Sequence, residues 1–183
     1  MLPSRRRLLA LPLASMGALP LLCMGAVPLP GMGAVPATRA ADASRAPIAW
    51  TDVTLLDGSV LRADTLRGRP VVVEFWASWC PFCRRQNPQL QALWDAQRTR
   101  GLRMLTFSID RDPAAARAYV AEHGYTFPAA MASPASARWF GARKGLPMLY
   151  VVGTTGRIVF EEAGEMFAED VAALARFATD GGA

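Results

Sequence analysis

The sequence predicts an α/β sandwich, with a mixed central sheet flanked by helices and an N-terminal β-hairpin. Three observations predict it. The order of patterns from residue 46 onward is strand, helix, strand, helix, then a hairpin, then a closing helix, which argues mixed layers. Val71–Trp76 is a β-branched and aromatic run of the kind buried on both faces of a central strand. The composition, 52% hydrophobic and 19% charged, suits one well-packed core and excludes a disordered chain.

The elements follow in order. Trp50–Leu56, Asp57-Gly58 and Ser59–Leu61 read as a hairpin around a two-residue turn. Arg67-Gly68-Arg69-Pro70 is a turn that launches the Val71–Trp76 strand. A helix is expected from Cys80 to about Arg100, with Pro88 kinking it and Gly101 stopping it. Leu102–Ile109 is the second strand. Asp112-Pro113 opens a helix through about Glu122, with His123-Gly124 ending it. Phe127–Met131 is extended and Ser133–Phe140 is a short helix. Met148–Val152 and Arg157–Glu161 form a hairpin across Gly153–Gly156, and Ala168–Phe177 is an amphipathic closing helix.

The charge is unevenly distributed. The formal net charge is +5, but residues 1–40 hold Arg5, Arg6, Arg7 and Arg39 and no acid, so 41–183 carries only +1. No basic stripe remains to follow a phosphate backbone, and nucleic acid is not an expected partner. From Leu8 to Thr38 there is no charged side chain. A positive start, an apolar stretch and small residues near 40–43 make residues 1–40 an export signal, cut near 40–43. Ser4–Leu9 resembles the twin-arginine consensus, with a general secretory signal as the alternative. An octad repeat of Ala-Leu-Pro or Ala-Val-Pro runs through the segment, interrupted by proline too often for a long helix. A retained membrane anchor is the other reading of it. Cys23 lies inside and is expected to leave with the signal. A domain of about 140 residues (41–183) then stands on the oxidising side of a bacterial-type membrane, with two cysteines.

Those cysteines carry the chemistry. Trp79-Cys80-Pro81-Phe82-Cys83 follows a buried strand and opens a helix. Cys80 at the helix start meets unpaired backbone N–H groups and the positive end of the helix dipole, which favour a thiolate. Cys83, three residues on, shares its helix face and can close a disulfide. The pair can exchange electrons with another disulfide through a mixed intermediate. A zinc half-site is a competing reading, but only His123 could add a ligand of the right type beyond the pair. A purely structural disulfide is another.

Val72–Pro88, VVEFWASWCPFCRRQNP, resembles the active-site segment of the thioredoxin superfamily, and the wider pattern resembles its exported TlpA/ResA-type branch. The resemblance extends through Asp57-Gly58, the 67–70 turn, Phe107–Asp110, Gly124–Pro128 and Gly145-Leu146-Pro147, covering about 46–178. It implies a thioredoxin-like fold and a thiol–disulfide oxidoreductase in which Cys80 attacks a substrate disulfide and Cys83 resolves the mixed disulfide. The resemblance implies no cofactor and no metal, only the redox-active pair itself. Direction follows from the branch: a periplasmic reductant, for example in cytochrome c maturation or copper-site cysteine reduction, recharged by a membrane-embedded electron donor and acting on protein disulfides or dithiols as a monomer. A Sco-like copper delivery module and a disulfide-forming oxidant are the alternatives. A peroxiredoxin type is disfavoured, because Ala77 stands where that family has Thr.

Pro147 matches the family's cis-proline, which with Leu146 presents backbone to a substrate. From the residues alone, a trans proline at a strand start fits as well. Trp76 and Trp79 match the family's paired tryptophans that shape the rim around the dithiol, although core packing also explains Trp76. Trp79, Pro81 and Phe82 are the candidate substrate-binding residues there. Glu74 matches the buried carboxylate of thioredoxins proper, whereas the TlpA-type branch often has Asn there and Glu at the position of Gln86. Buried, Glu74 would have a raised pKa suited to proton exchange with Cys83; at the solvent end of the strand it would be an ordinary surface acid. Arg84 and Arg85 read as a solvated helix face, with a lowered Cys80 thiol pKa as their alternative role.

Overall fold

The structure is a computed structural model that describes residues 45–179. The predicted export signal, its octad repeat and Cys23 lie outside the described residues.

The hairpin forms first in chain order, β1 (Val53–Thr54) against β2 (Val60–Leu61), as a two-stranded antiparallel sheet of its own. Its connection spans residues 55–59 and is wider than the two-residue turn expected at Asp57-Gly58. The main body draws the chain outward there: Leu55 bridges Ala130, and the Leu56 N–H donates to the Ala129 carbonyl at 2.7 Å. Gly58, at φ +87°, makes the reversal, and the Asp57 carboxylate accepts from the Ser59 N–H at 2.8 Å.

The central sheet holds β3 (Val71–Trp76), β4 (Arg103–Ser108), β5 (Ala129–Met131), β6 (Met148–Val152) and β7 (Ile158–Ala163) in the spatial order β5-β4-β3-β6-β7. β3, β4 and β5 are parallel, while β6 and β7 run antiparallel to their neighbours. The parallel pairs are joined through α1 (Pro81–Gln97) and α2 (Pro113–Glu122), as parallel strands require. α3 (Pro134–Phe140) is set by a capping box in which Ser133 and Ser136 bond reciprocally.

The two-period of the strands divides the core into two layers. Val72, Trp76, Leu149 and Val151 face the cluster built with Leu90 and Leu93 of α1 and Ala116 and Tyr119 of α2. Val71, Val73, Phe75, Leu105 and Phe107 face the opposite cluster with Ile48, Trp50, Leu66 and Phe140. The parity that puts Val72 and Trp76 toward α1 places Glu74, between them, on the same side.

Two helical expectations change. α1 begins at Pro81 with Cys80 as its N-cap, and it continues through Pro88 to Gln97. The closing helix is two pieces, α4 (Ala168–Ala173) and α5 (Arg176–Thr179). Between them the hydrogen bonds tighten to three-residue spacing, Leu174 N–H to Val171 and Phe177 N–H to Leu174, which turns Leu174 and Ala178 into the core.

Candidate active site

β3 is buried at all six positions and ends by feeding the turn Ala77–Cys80, closed by the Cys80 N–H donating to the Ala77 carbonyl at 3.1 Å. Cys80 has extended backbone (φ −83°, ψ 115°), and its Sγ accepts from the Cys83 N–H at 3.2 Å, so the sulfur itself caps the helix. Pro81 follows at the first helical position, where its missing N–H costs nothing. Cys80 and Cys83 are joined as a disulfide, with Cα atoms 5.3 Å apart. Cys83 is fully covered and Cys80 is 4% exposed, which makes Cys80 the outer sulfur.

Around the outer sulfur, Trp79 is 66% exposed and Phe82 50%, while Pro81 also faces solvent. Arg85 is exposed, as expected of a solvated helix face, and also has partners on the surface. Its guanidinium lies 4.8 Å over the Phe82 ring and grips Glu165 through Nε at 2.8 and 3.0 Å, so Phe82 and the loop after β7 are held on one side of the disulfide. Arg84 is exposed. The Leu146–Pro147 peptide bond is cis. Pro147 is buried, its carbonyl accepts from the Gly164 N–H at 2.8 Å, and Leu146 packs partly buried against the cluster that contains both cysteines.

Beneath the disulfide, the buried face of α1 reads Cys83, Gln86, Asn87, Leu90 and Leu93. Glu74 meets this face from β3 and is wholly buried. Gln86 Nε2 donates to Glu74 Oε1 at 3.2 Å, while Gln86 Oε1 accepts from the Met166 N–H at 2.8 Å. With the Asn87 amide turned so that its nitrogen meets acceptors, Nδ2 donates to Glu74 Oε2 at 3.1 Å and to the Cys83 carbonyl at 3.0 Å. The side chains bonded to the Glu74 carboxylate are thus neutral amides. Burial without a cation pushes its pKa up to about 8, and the Gln86 hydrogen bond only partly offsets this.

The sequence sets Gln86 apart only as a departure from the family pattern, and nothing local to Asn87 marks it as a site residue. Their shared signal is the helical period, since Cys83, Gln86, Asn87 and Leu90 recur at the i, i+3, i+4, i+7 spacing of one helix face. A further group, one without a sequence signal, is Asp110, two residues past β4, which bonds Ser78 in the turn before Cys80. His123 caps the C-terminus of α2, its Nδ1 lying 2.9 Å from the Tyr119 carbonyl and its ring against Tyr119 and Tyr125. Among the described residues, no group of three or more His, Cys, Asp or Glu side chains could hold a metal ion.

The sequence profile of the Redoxin family matches residues 36–176. The chain belongs to the Redoxin family. It is 24% identical over 119 residues to the thiol-disulfide oxidoreductase ResA of Bacillus thuringiensis, covering 65% of this chain and 69% of that one. It is 34% identical over 122 residues to the thiol:disulfide interchange protein DsbE homolog of Paracoccus denitrificans, covering 63% of each chain. Its fold is that of a thioredoxin-family thiol:disulfide interchange protein from Chlorobium tepidum, with a TM-score of 0.68 at 24% identity over 76% of this chain and 99% of that one. These relatives bear out the thioredoxin-superfamily, ResA-like reading of the sequence, and with it a thiol–disulfide oxidoreductase activity for this Redoxin chain.

Proposed function

We propose that this Redoxin chain is an exported, periplasmic reductant of protein disulfides, working through Cys80 and Cys83. The observation that carries the reading is the asymmetry of the pair. The outer sulfur caps α1 beside an exposed aromatic rim, and the inner one is covered above a buried carboxyl. Cys80 as thiolate attacks a substrate disulfide, forms the mixed disulfide and expels one substrate thiolate. Cys83 loses its proton to the Glu74 carboxylate and attacks Cys80 Sγ, which releases the second substrate thiolate and leaves the Cys80–Cys83 disulfide. The substrate gains two electrons and, with protons from solvent, becomes a dithiol. The oxidised pair then takes two electrons and two protons from a membrane-embedded dithiol donor. Trp79, Pro81 and Phe82 receive the substrate chain on one side, and Leu146 with Pro147 offers backbone on the other. Cytochrome c maturation and copper-site cysteine reduction are the processes this chemistry suits. Residues 1–40 serve as the export signal and 41–183 as the working domain.

The test is to trap partners. With Cys83→Ser, the mixed disulfide at Cys80 cannot be resolved, and exported proteins are expected to be recovered covalently bound and released by reductant. Cys80→Ser is expected to trap none. Absence of any disulfide-linked partner above background, together with no insulin-reducing activity in the wild type, would overturn the proposal.

A further inference from the structure

The turn that delivers Cys80 is held from outside its own element. Asp110 is buried two residues past the end of β4, and its carboxylate accepts three hydrogen bonds. Ser78 N–H donates to Oδ2 at 3.0 Å, Ser78 Oγ to Oδ1 at 2.8 Å, and Ser108 Oγ to Oδ2 at 2.7 Å. Ser108 Oγ in turn accepts from the Asp110 N–H at 3.0 Å, which ties Asp110 to the last residue of β4. The strand ends are locked as well, because the Ile109 N–H donates to the Trp76 carbonyl at 2.9 Å. Ser78 stands two residues before Cys80, inside the turn closed between Ala77 and Cys80. No salt bridge to Asp110 occurs among the described residues.

We propose that Asp110 is a positioning residue for Cys80: through Ser78 it fixes the turn that presents the outer sulfur, and its negative charge beside that turn, hydrogen-bonded but in no salt bridge, favours the disulfide and makes the dithiol the stronger reductant. A fixed negative charge near a thiolate opposes its formation. The reduced pair is therefore less stabilised than the helix N-terminus alone would make it, and a dithiol so disfavoured gives up its electrons more readily. The other charged groups on the surrounding elements are Glu74 from β3, Arg84 and Arg85 on α1, Glu165 gripping Arg85 from the loop after β7, and Arg111 and Asp112 beside Asp110. Arg85 is committed to Glu165, and Asp112 is exposed, where water screens it.

The proposal rests on the redox reading and deepens it, and the experiment separates the two. Oxidised protein is equilibrated with glutathione at about pH 8, where two glutathione thiols give two electrons and two protons to the Cys80–Cys83 bond and become one glutathione disulfide. Asp110→Asn keeps an acceptor for the Ser78 N–H and removes the charge. It is expected to raise the constant for forming the dithiol by roughly three- to tenfold, the upper end being about 30 mV toward a more oxidising pair. In the same variant, the pH profile of Cys80 alkylation by iodoacetamide is expected to move to lower pH. Asp112→Asn, which removes an exposed charge nearby, is expected to change neither. Should Asp110→Asn fail to fold, Ser78→Ala removes the hydroxyl through which Asp110 holds the turn, adds no charge of its own, and is expected to move both readouts away from the wild type. A wild type that exchanges with glutathione, paired with a folded variant whose constant and alkylation profile match it, would overturn the proposal. A wild type that does not exchange at all would overturn the redox reading instead.

Discussion

Glu74 is the residue whose behaviour departs furthest from its ordinary chemistry. A carboxyl normally loses its proton near pH 4.5, and this one holds it to about 8 because burial removes the water that would solvate the anion. A group poised there can accept the Cys83 proton as the mixed disulfide is resolved, with its competence growing as pH rises through that range. Single-turnover resolution of a Cys80 mixed disulfide is therefore expected to accelerate with pH around 8 in the wild type. With Glu74→Gln that inflection is expected to vanish and the rate to fall by roughly ten- to a hundredfold near neutral pH. An unchanged pH–rate profile in the variant would remove Glu74 from the proton path. The two cysteines and Glu74 were legible in the sequence because each combines an unusual residue type with a strong local context: a dithiol at a strand–helix junction, an acid in an apolar strand. Asp110 was not legible as a site residue. An aspartate after a strand is ordinary, and only the spatial meeting of β4 with the Ala77–Cys80 turn gives it a partner 32 residues away.

At the scale of elements, Gln86 joins three of them. From α1 it reaches Glu74 on β3 and the Met166 backbone in the loop between β7 and α4. Gln86→Leu leaves the Met166 N–H without its acceptor and strips Glu74 of one amide donor. The variant is expected to lose about 1–3 kcal/mol of stability in urea unfolding. The pH–rate inflection is also expected to move higher, because the Gln86 hydrogen bond is what lowers the Glu74 pKa against burial. A stability loss with the inflection unmoved would mean that Gln86 only packs. The strands and first three helices were readable from periodicity and caps, with Asp112 and Ser133 marking helix starts that the structure retains. The closing helix was not read correctly, because one amphipathic pattern fits both a continuous helix and two short ones. The choice between them is made by how Leu174 and Ala178 reach the core, a tertiary matter. The hairpin turn widened for a similar reason, since Leu55 and Leu56 bond to β5 residues that no local pattern reveals.

For the whole molecule, a buried acid without a countercharge makes stability depend on pH in a direction opposite to that of a salt-bridged carboxylate. In the folded protein Glu74 keeps its proton to about pH 8, whereas in the unfolded chain it releases it near 4.5. Between those values the unfolded state binds fewer protons than the folded one, so this group lowers stability progressively as pH rises. Below about 4.5 both states are protonated and the group is neutral in effect; above about 8 the full penalty is present. Glu74→Gln carries no charge at any pH. The variant is expected to match the wild type in the oxidised state near pH 4.5 and to exceed it increasingly up to pH 8, by a few kcal/mol at about 1.36 kcal/mol per pKa unit. Urea unfolding of both proteins across that range checks this, since groups common to both cancel in the difference. Curves that stay parallel would mean that Glu74 is ionised in the folded protein. An acid that weakens the fold above pH 4.5 is a cost that packing alone does not explain, and the proton exchange with Cys83 proposed above would give it a use in an otherwise apolar strand.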